Sequence, residues 1–268
     1  PDGTQQFQDT NQFTFTITAP VGVNPGDVVV QLTGTPLGGT TSTEILTYGN
    51  GLSITGSLTS LSGSFALNTN TTYTAFIQII ETDGNMSSTN ISFDTVYPGY
   101  FTFEAEDFNY GSGQFFDNPA PDAYSGYDGA DQVDYNCPNP PANNPFQYGR
   151  IGLATEGCGD VPRSQFAGYL DYDVGNVNGG DWGNYTRTFP AGVYNIYMRA
   201  ANGNGANSDS ASMYEVTGDR TQPNQSTLPL GTFAVPATGG WQKFTWVPLL
   251  NAGGGLARFG GGSVETLR

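Results

Sequence analysis

The 268-residue chain has no histidine, a single lysine (Lys243), two cysteines and only 12% charged residues. Without histidine, neither a serine–histidine–aspartate nor a cysteine–histidine catalytic site can be built, and a histidine-ligated zinc centre is excluded as well. Its basic residues, scattered from Arg150 to Arg268, form no clustered patch of the kind nucleic-acid phosphates require. Eight basic against 24 acidic residues leave a net charge of −16, which repels an anionic lipid surface. No apolar run approaches the ~20 residues that span a bilayer, so neither nucleic acid nor membrane insertion is expected. Helical patterning is missing too: nowhere do apolar residues recur at 3.6-residue spacing for three turns. Pro1 opens no basic-then-apolar leader, so the chain reads as mature or as an excised fragment.

What the chain does have is 38 glycines, 17 prolines and 13% aromatic residues. That many rings argue against disorder, and the turn formers point to short strands. Period-2 alternation recurs, in Phe13–Ala19, Thr72–Ile80, Thr186–Phe189 and Val193–Arg199. Short strands separated by turn signals predict an all-β protein, and the length favours two domains. The boundary is expected at Tyr97-Pro98-Gly99-Tyr100, giving domains 1–97 and 98–268, each a β-sandwich.

In the first domain, roughly seven strand-like runs are visible. One hairpin, Thr72–Ile80 with Ser87–Phe93, closes through Asp83-Gly84-Asn85, a strong tight-turn signal. The segment from Leu67 to Tyr73 resembles the tyrosine corner of immunoglobulin-like and fibronectin type III modules. That resemblance implies that the Tyr73 hydroxyl caps backbone where the chain crosses between sheets. No site is legible here.

The second domain opens with Phe101-Thr-Phe-Glu-Ala-Glu-Asp-Phe108, read as a strand. An irregular insertion, 109–168, follows. Cys137 and Cys158 lie within it, and closing their loop would stabilise by roughly 3 kcal/mol. The pair is read as a disulfide in preference to two free thiols, which implies an oxidising, extracellular or cell-surface setting. Asp122, Asp128, Asp131 and Asp134 read as a solvated acidic loop or, alternatively, a second cation site. On a strand, Glu104 and Glu106 share a face; they are either a solvated acidic edge or a pair bridged by a hard cation such as Ca²⁺.

Four motifs in order connect this half to a known family. Glu104-Ala-Glu-Asp-Phe108, Gly180-Asp-Trp-Gly-Asn-Tyr185, Gly192-Val-Tyr-Asn-Ile-Tyr-Met-Arg199 and Thr238-Gly-Gly-Trp-Gln242 resemble the carbohydrate-binding modules of families 6 and 35. The resemblance implies a β-jelly-roll, a structural calcium with Glu104 and Glu106 among its ligands, and polysaccharide or oligosaccharide binding without catalysis. Trp241 would be the stacking platform, since a flat indole covers the C–H face of a pyranose. A second aromatic is expected opposite it, with Tyr172 first, then Tyr169 and Tyr148; Tyr127 and Tyr124 are further candidates. Gln242, Phe244 and Trp246 read as core. Arg199 is either a solvent-facing charge or a carboxylate partner.

Two departures from the family stand out. The insertion is long, and the chain stops at Thr266-Leu-Arg268, after what reads as the penultimate strand. A jelly-roll lacking its last strand has an open sheet edge prone to self-association. The alternative function is therefore a structural subunit of an extracellular filament or surface assembly, with strand exchange between chains.

Overall fold

The computed structural model describes residues 10–95, 100–117, 124–139, 146–147, 149–158, 172–205 and 208–268. These residues are all-β, with no helix among them, and they form two compact units, the described residues up to 95 and those from 100 onward. The expected boundary at Tyr97–Gly99 lies outside the described residues.

The first unit contains β1 (Gln12–Thr18), β2 (Val23–Pro36), β3 (Ser42–Tyr48), β4 (Gly51–Ser57), β5 (Ser60–Ala66), β6 (Thr71–Glu81) and β7 (Met86–Asp94). They run in the order β1-β5-β4-β3-β2-β6-β7, antiparallel except for a two-residue parallel junction between β3 and β4. At that junction the sheet folds over into a sandwich. Its two ends meet across the core, where Phe13 of β1 stacks on Phe93 of β7 at 4.7 Å between ring centroids. Alternation drives this packing, since each strand sends every second residue inward, such as Val28, Val30 and Leu32 or Tyr73, Ala75 and Ile77. The β6–β7 hairpin closes as expected, with the Asp83 carboxylate accepting from the Asn85 amide at 3.1 Å and Gly84 at φ +87°.

The outer face of β1, β5 and β4 shows how a protein with few ions stays wet. The register aligns Thr14, Ser64 and Ser53; then Thr16, Ser62 and Thr55; then Thr18, Ser60 and Ser57. Nine hydroxyl residues form a grid spaced about 5 Å across the strands and about 7 Å along them.

At the crossover into β6 the Tyr73 hydroxyl accepts a hydrogen bond from the Asn68 amide at 2.8 Å. The Tyr73 ring lies on Gly34, where a Cβ would stand 2.8 Å from Cε1. Thr95 donates to the Asn68 carbonyl at 2.6 Å, so both backbone groups of Asn68 are held.

The second unit contains β8 (Tyr135–Asn136), β9 (Phe146–Gln147), β10 (Arg150–Ile151), β11 (Thr155–Gly157), β12 (Tyr172–Val174), β13 (Trp182–Gly183), β14 (Tyr185–Thr188), β15 (Gly192–Asn195), β16 (Tyr197–Ala201), β17 (Asp209–Val216), β18 (Thr227–Val235), β19 (Phe244–Leu250), β20 (Arg258–Gly261) and β21 (Val264–Leu267). The main sheet has the order β14-β21-β17-β18-β19-β16, and β15 pairs with β20. The run Val193–Arg199, read as one strand, is split at Ile196. This break lets β15 pair with β20 while β16 pairs with β19. The C-terminal strand β21 lies inside the sheet, between β14 and β17.

Three expectations are corrected here. Phe101–Phe108 is not a strand: the Asp107 amide bonds back to the Glu104 carbonyl at 3.2 Å, a tight turn. On β19, Val247 and Leu249 are the fully buried residues, while Phe244 and Trp246 are only half-buried on the alternate face, and Gln242, in the turn before the strand, is half-buried too. The guanidinium of Arg199 covers that face, 4.7 Å from the Phe244 ring centroid. Finally, Cys137 and Cys158 form no disulfide. Each thiol has separate partners, Asp181 and the Ala154 backbone for Cys137, Gln242 and Asp173 for Cys158.

The irregular insertion is organised by aspartates instead. Fully buried Asp134 accepts from the amides of Ser112, Gly113 and Ala130 at 2.9, 2.6 and 2.9 Å. Asp128 accepts from the Ile151 amide at 2.7 Å, and Asp117 holds the Thr188 amide and hydroxyl. Of the four aspartates read as a solvated acidic loop, Asp128 and Asp131 are exposed, whereas buried Asp134 fastens loop backbone; Asp122 lies outside the described residues.

Replacing Tyr73 with Phe removes the partner of the Asn68 amide and is expected to destabilise by about 1 kcal/mol, measurable as a lower urea midpoint with unchanged slope.

Candidate functional site

Trp241 follows the Thr238-Gly239-Gly240 turn, which is pinned to the end of β16. The Asn202 amide donates to the Thr238 hydroxyl at 2.8 Å, and the Thr238 amide donates to the Asn202 carbonyl at 2.9 Å. Gly239 takes φ +83°, a conformation that suits glycine. The indole is 60% exposed and lies flat on Gly203. A Cβ at 203 would stand 2.6–2.7 Å from Cδ2, Cε2 and Nε1. One face of the ring is thus seated on backbone, and most of the rest meets solvent.

Polar side chains gather beside this platform. Gln242, the next residue, accepts from the Cys158 thiol at 3.5 Å, and both side chains hydrogen-bond Asp173 on β12. Asp173 pairs in register with Glu156 of β11. Burial, and then the Glu156 charge, push the Asp173 carboxyl above the ordinary aspartate value; Arg199 pulls in the other direction. The sequence left Arg199 open between two roles; it is half-buried, stacked on Phe244 and acting on Asp173. Asp173 and Glu156 had no sequence signal beyond being acidic, because only the β11–β12 pairing and the Trp241 turn bring them together.

Of the aromatic candidates, Tyr172 is half-buried on β12. Strand alternation directs it away from the face on which Asp173 meets Gln242. Tyr169 and Tyr148 lie outside the described residues. Tyr124 is fully buried, its hydroxyl accepting from the Phe116 amide at 2.9 Å, so it is core. Tyr127 is 43% exposed, with its ring 4.6 Å from that of Tyr110.

Glu104 is half-buried and Glu106 buried, both on the 104–107 turn. The backbone oxygens of this turn point to the chain's own donors. Tyr185 donates to the Ala105 carbonyl at 2.8 Å, Arg187 to that of Asp107 at 3.0 Å, and Arg150 to those of Phe108 and Asn109 at 3.3 and 3.2 Å. Among the described residues no three carboxylate, thiol or imidazole side chains gather as a metal cluster. Calcium takes six to eight oxygen ligands. A donor set of two glutamates, with neighbouring carbonyls turned toward two cations, does not fit it.

Comparison with known proteins adds no assignment: no family model and no curated protein matches the chain.

Two outcomes are expected. Gly203→Ala forces the indole off its seat, seen as a shifted tryptophan emission maximum with little change in folding. Asp173→Asn bears on pH. A carboxyl whose folded pKa is raised favours the fold when protonated, and that contribution is lost as pH rises from the ordinary aspartate value through the raised one. The variant lacks this loss, so thermal midpoints measured from pH 4 to pH 8, about a span of carboxylate titration, should fall less for it than for wild type.

Proposed function

We propose that the second unit is a non-catalytic carbohydrate-binding module of an extracellular or cell-surface protein, taking a neutral polysaccharide or oligosaccharide on Trp241. The observation that carries this reading is the indole seated on Gly203 with its other side in solvent. A rigid aromatic plane buries the apolar face of a pyranose with little loss of side-chain entropy. Gln242, next to it in the chain, supplies the kind of amide that orients hydroxyl groups. The four sequence motifs support the same conclusion, since the loop carrying Trp241 is one of them.

The reading accords with a sequence that contains no histidine. Without histidine, hydrolysis would fall to a pair of carboxylates about 5–9.5 Å apart across a cleft. Asp173 and Glu156 are adjacent, but Asp173 is engaged by Cys158 and Gln242 and serves here as support for the Trp241 turn.

Titration of the full chain with soluble glucan, xylan, galactan and mannan, followed by tryptophan emission, is the direct test. One of these is expected to shift the emission saturably. Trp241→Ala should then weaken binding at least ~30-fold, the scale of losing a central aromatic anchor, with an unchanged thermal midpoint. Wild-type protein that responds to none of the four sinks the proposal, as does a Trp241→Ala variant that binds normally.

A further inference from the structure

We infer that two arginine side chains of the chain itself, Arg150 and Arg187, anchor the Phe103–Asn109 segment in the role a structural divalent cation would fill, so that the second unit folds without metal. The two side chains are 2% and 1% exposed, among the largest fully buried groups of the protein. Arg150 reaches the carbonyls of Glu106, Phe108 and Asn109 at 3.5, 3.3 and 3.2 Å. Arg187 reaches those of Thr186 and Asp107 at 2.6 and 3.0 Å. Together they hold four consecutive carbonyls, Glu106 to Asn109, at the turn's exit, while Arg187 also bonds the carbonyl of its neighbour Thr186 on β14.

Rings complete the enclosure. The Arg150 guanidinium lies 3.9 Å from the Phe108 ring centroid and 5.3 Å from that of Tyr124. Arg187 lies 5.2 Å from Phe103 and 5.9 Å from the same Tyr124, so one buried ring serves both cations. Burial lowers the Arg150 pKa, and the Asp107 charge is the largest influence favouring its charged form. Asp107 of this segment therefore faces positive charge supplied by Arg150 of β10.

That arrangement excludes a second cation on the same oxygens. A carbonyl already aimed at a guanidinium is poorly placed to ligate an ion, and a divalent ion within a few ångströms of two buried guanidiniums is repelled by both. The remaining unused hydrogen-bonding atoms point the same way. The Nε atoms of Arg150 and Arg187 are buried and have no hydrogen-bond partner; they are donors, so any further occupant of this enclosure must bring an acceptor. A planar, always-charged fork suits such a task because it holds several oxygens in fixed directions.

The inference does not depend on what Trp241 binds, because its readout is unfolding. The full chain is melted in excess EGTA and in excess CaCl₂, alongside Arg187→Met and Arg187→Lys. Coincident wild-type midpoints are expected, with Arg187→Met lowered by ~10 °C in both solutions, the scale of losing a buried, hydrogen-bonded charge. Arg187→Lys should fall between, since an ammonium keeps the charge and loses the fork. A wild-type midpoint that rises clearly in CaCl₂ overturns the inference, as does an unchanged midpoint for Arg187→Met. Should Arg187→Met fail to fold, that loss accords with the anchor, and the wild-type comparison decides on the metal. Sugar titration in EGTA keeps this result apart from the binding proposal: a metal-independent fold that binds no sugar removes only the latter.

Discussion

Backbone that leaves regular structure inside a protein must still find partners for its amides and carbonyls. In this chain that constraint determines where the few charges go. Only 12% of residues are charged, and a few of them are buried and turned onto main chain. Asp134 gathers three amides, and Arg150 and Arg187 gather the carbonyls of Glu106–Asn109. A donor fork serves carbonyls and a carboxylate serves amides, so the sign of each buried charge follows from which end of the peptide group needed a partner.

The surface of the first unit carries few charges, and three adjacent strands present a grid of serine and threonine to solvent. Threonine also favours the extended backbone, so one residue type serves both strand formation and wetting. In the second unit, Trp241 is an exposed aromatic ring, and its seat on Gly203 is a backbone requirement rather than a side-chain contact.

Much of the fold was legible because alternation is a local signal. The strands of the first unit and the hairpin at Asp83-Gly84-Asn85 follow from residues near one another in sequence, and the capping role of the Tyr73 hydroxyl was implied by the resemblance to a tyrosine corner. Less could be read where partners are distant. Phe101–Phe108 alternates like a strand, yet its carbonyls are taken by Arg150, Tyr185 and Arg187, some 40 to 80 residues away. On β19 the parity of the buried face was misread because Arg199, from β16, covers Phe244 on the other side. The two cysteines share a loop and look like a pair, but each found a separate polar partner.

By itself, then, the sequence determined the all-β class, the exclusion of histidine-based chemistry and the conspicuous placement of Trp241 after two glycines. These depend on composition and on contacts within a few residues. Tertiary structure alone decided that Asp173 and Glu156 stand beside the Trp241 turn, that the thiols stay apart and that two arginines hold the segment bearing Glu104 and Glu106. Each of those outcomes depends on which strands pair across long stretches of chain, and a pairing partner leaves no mark on the residues it will meet.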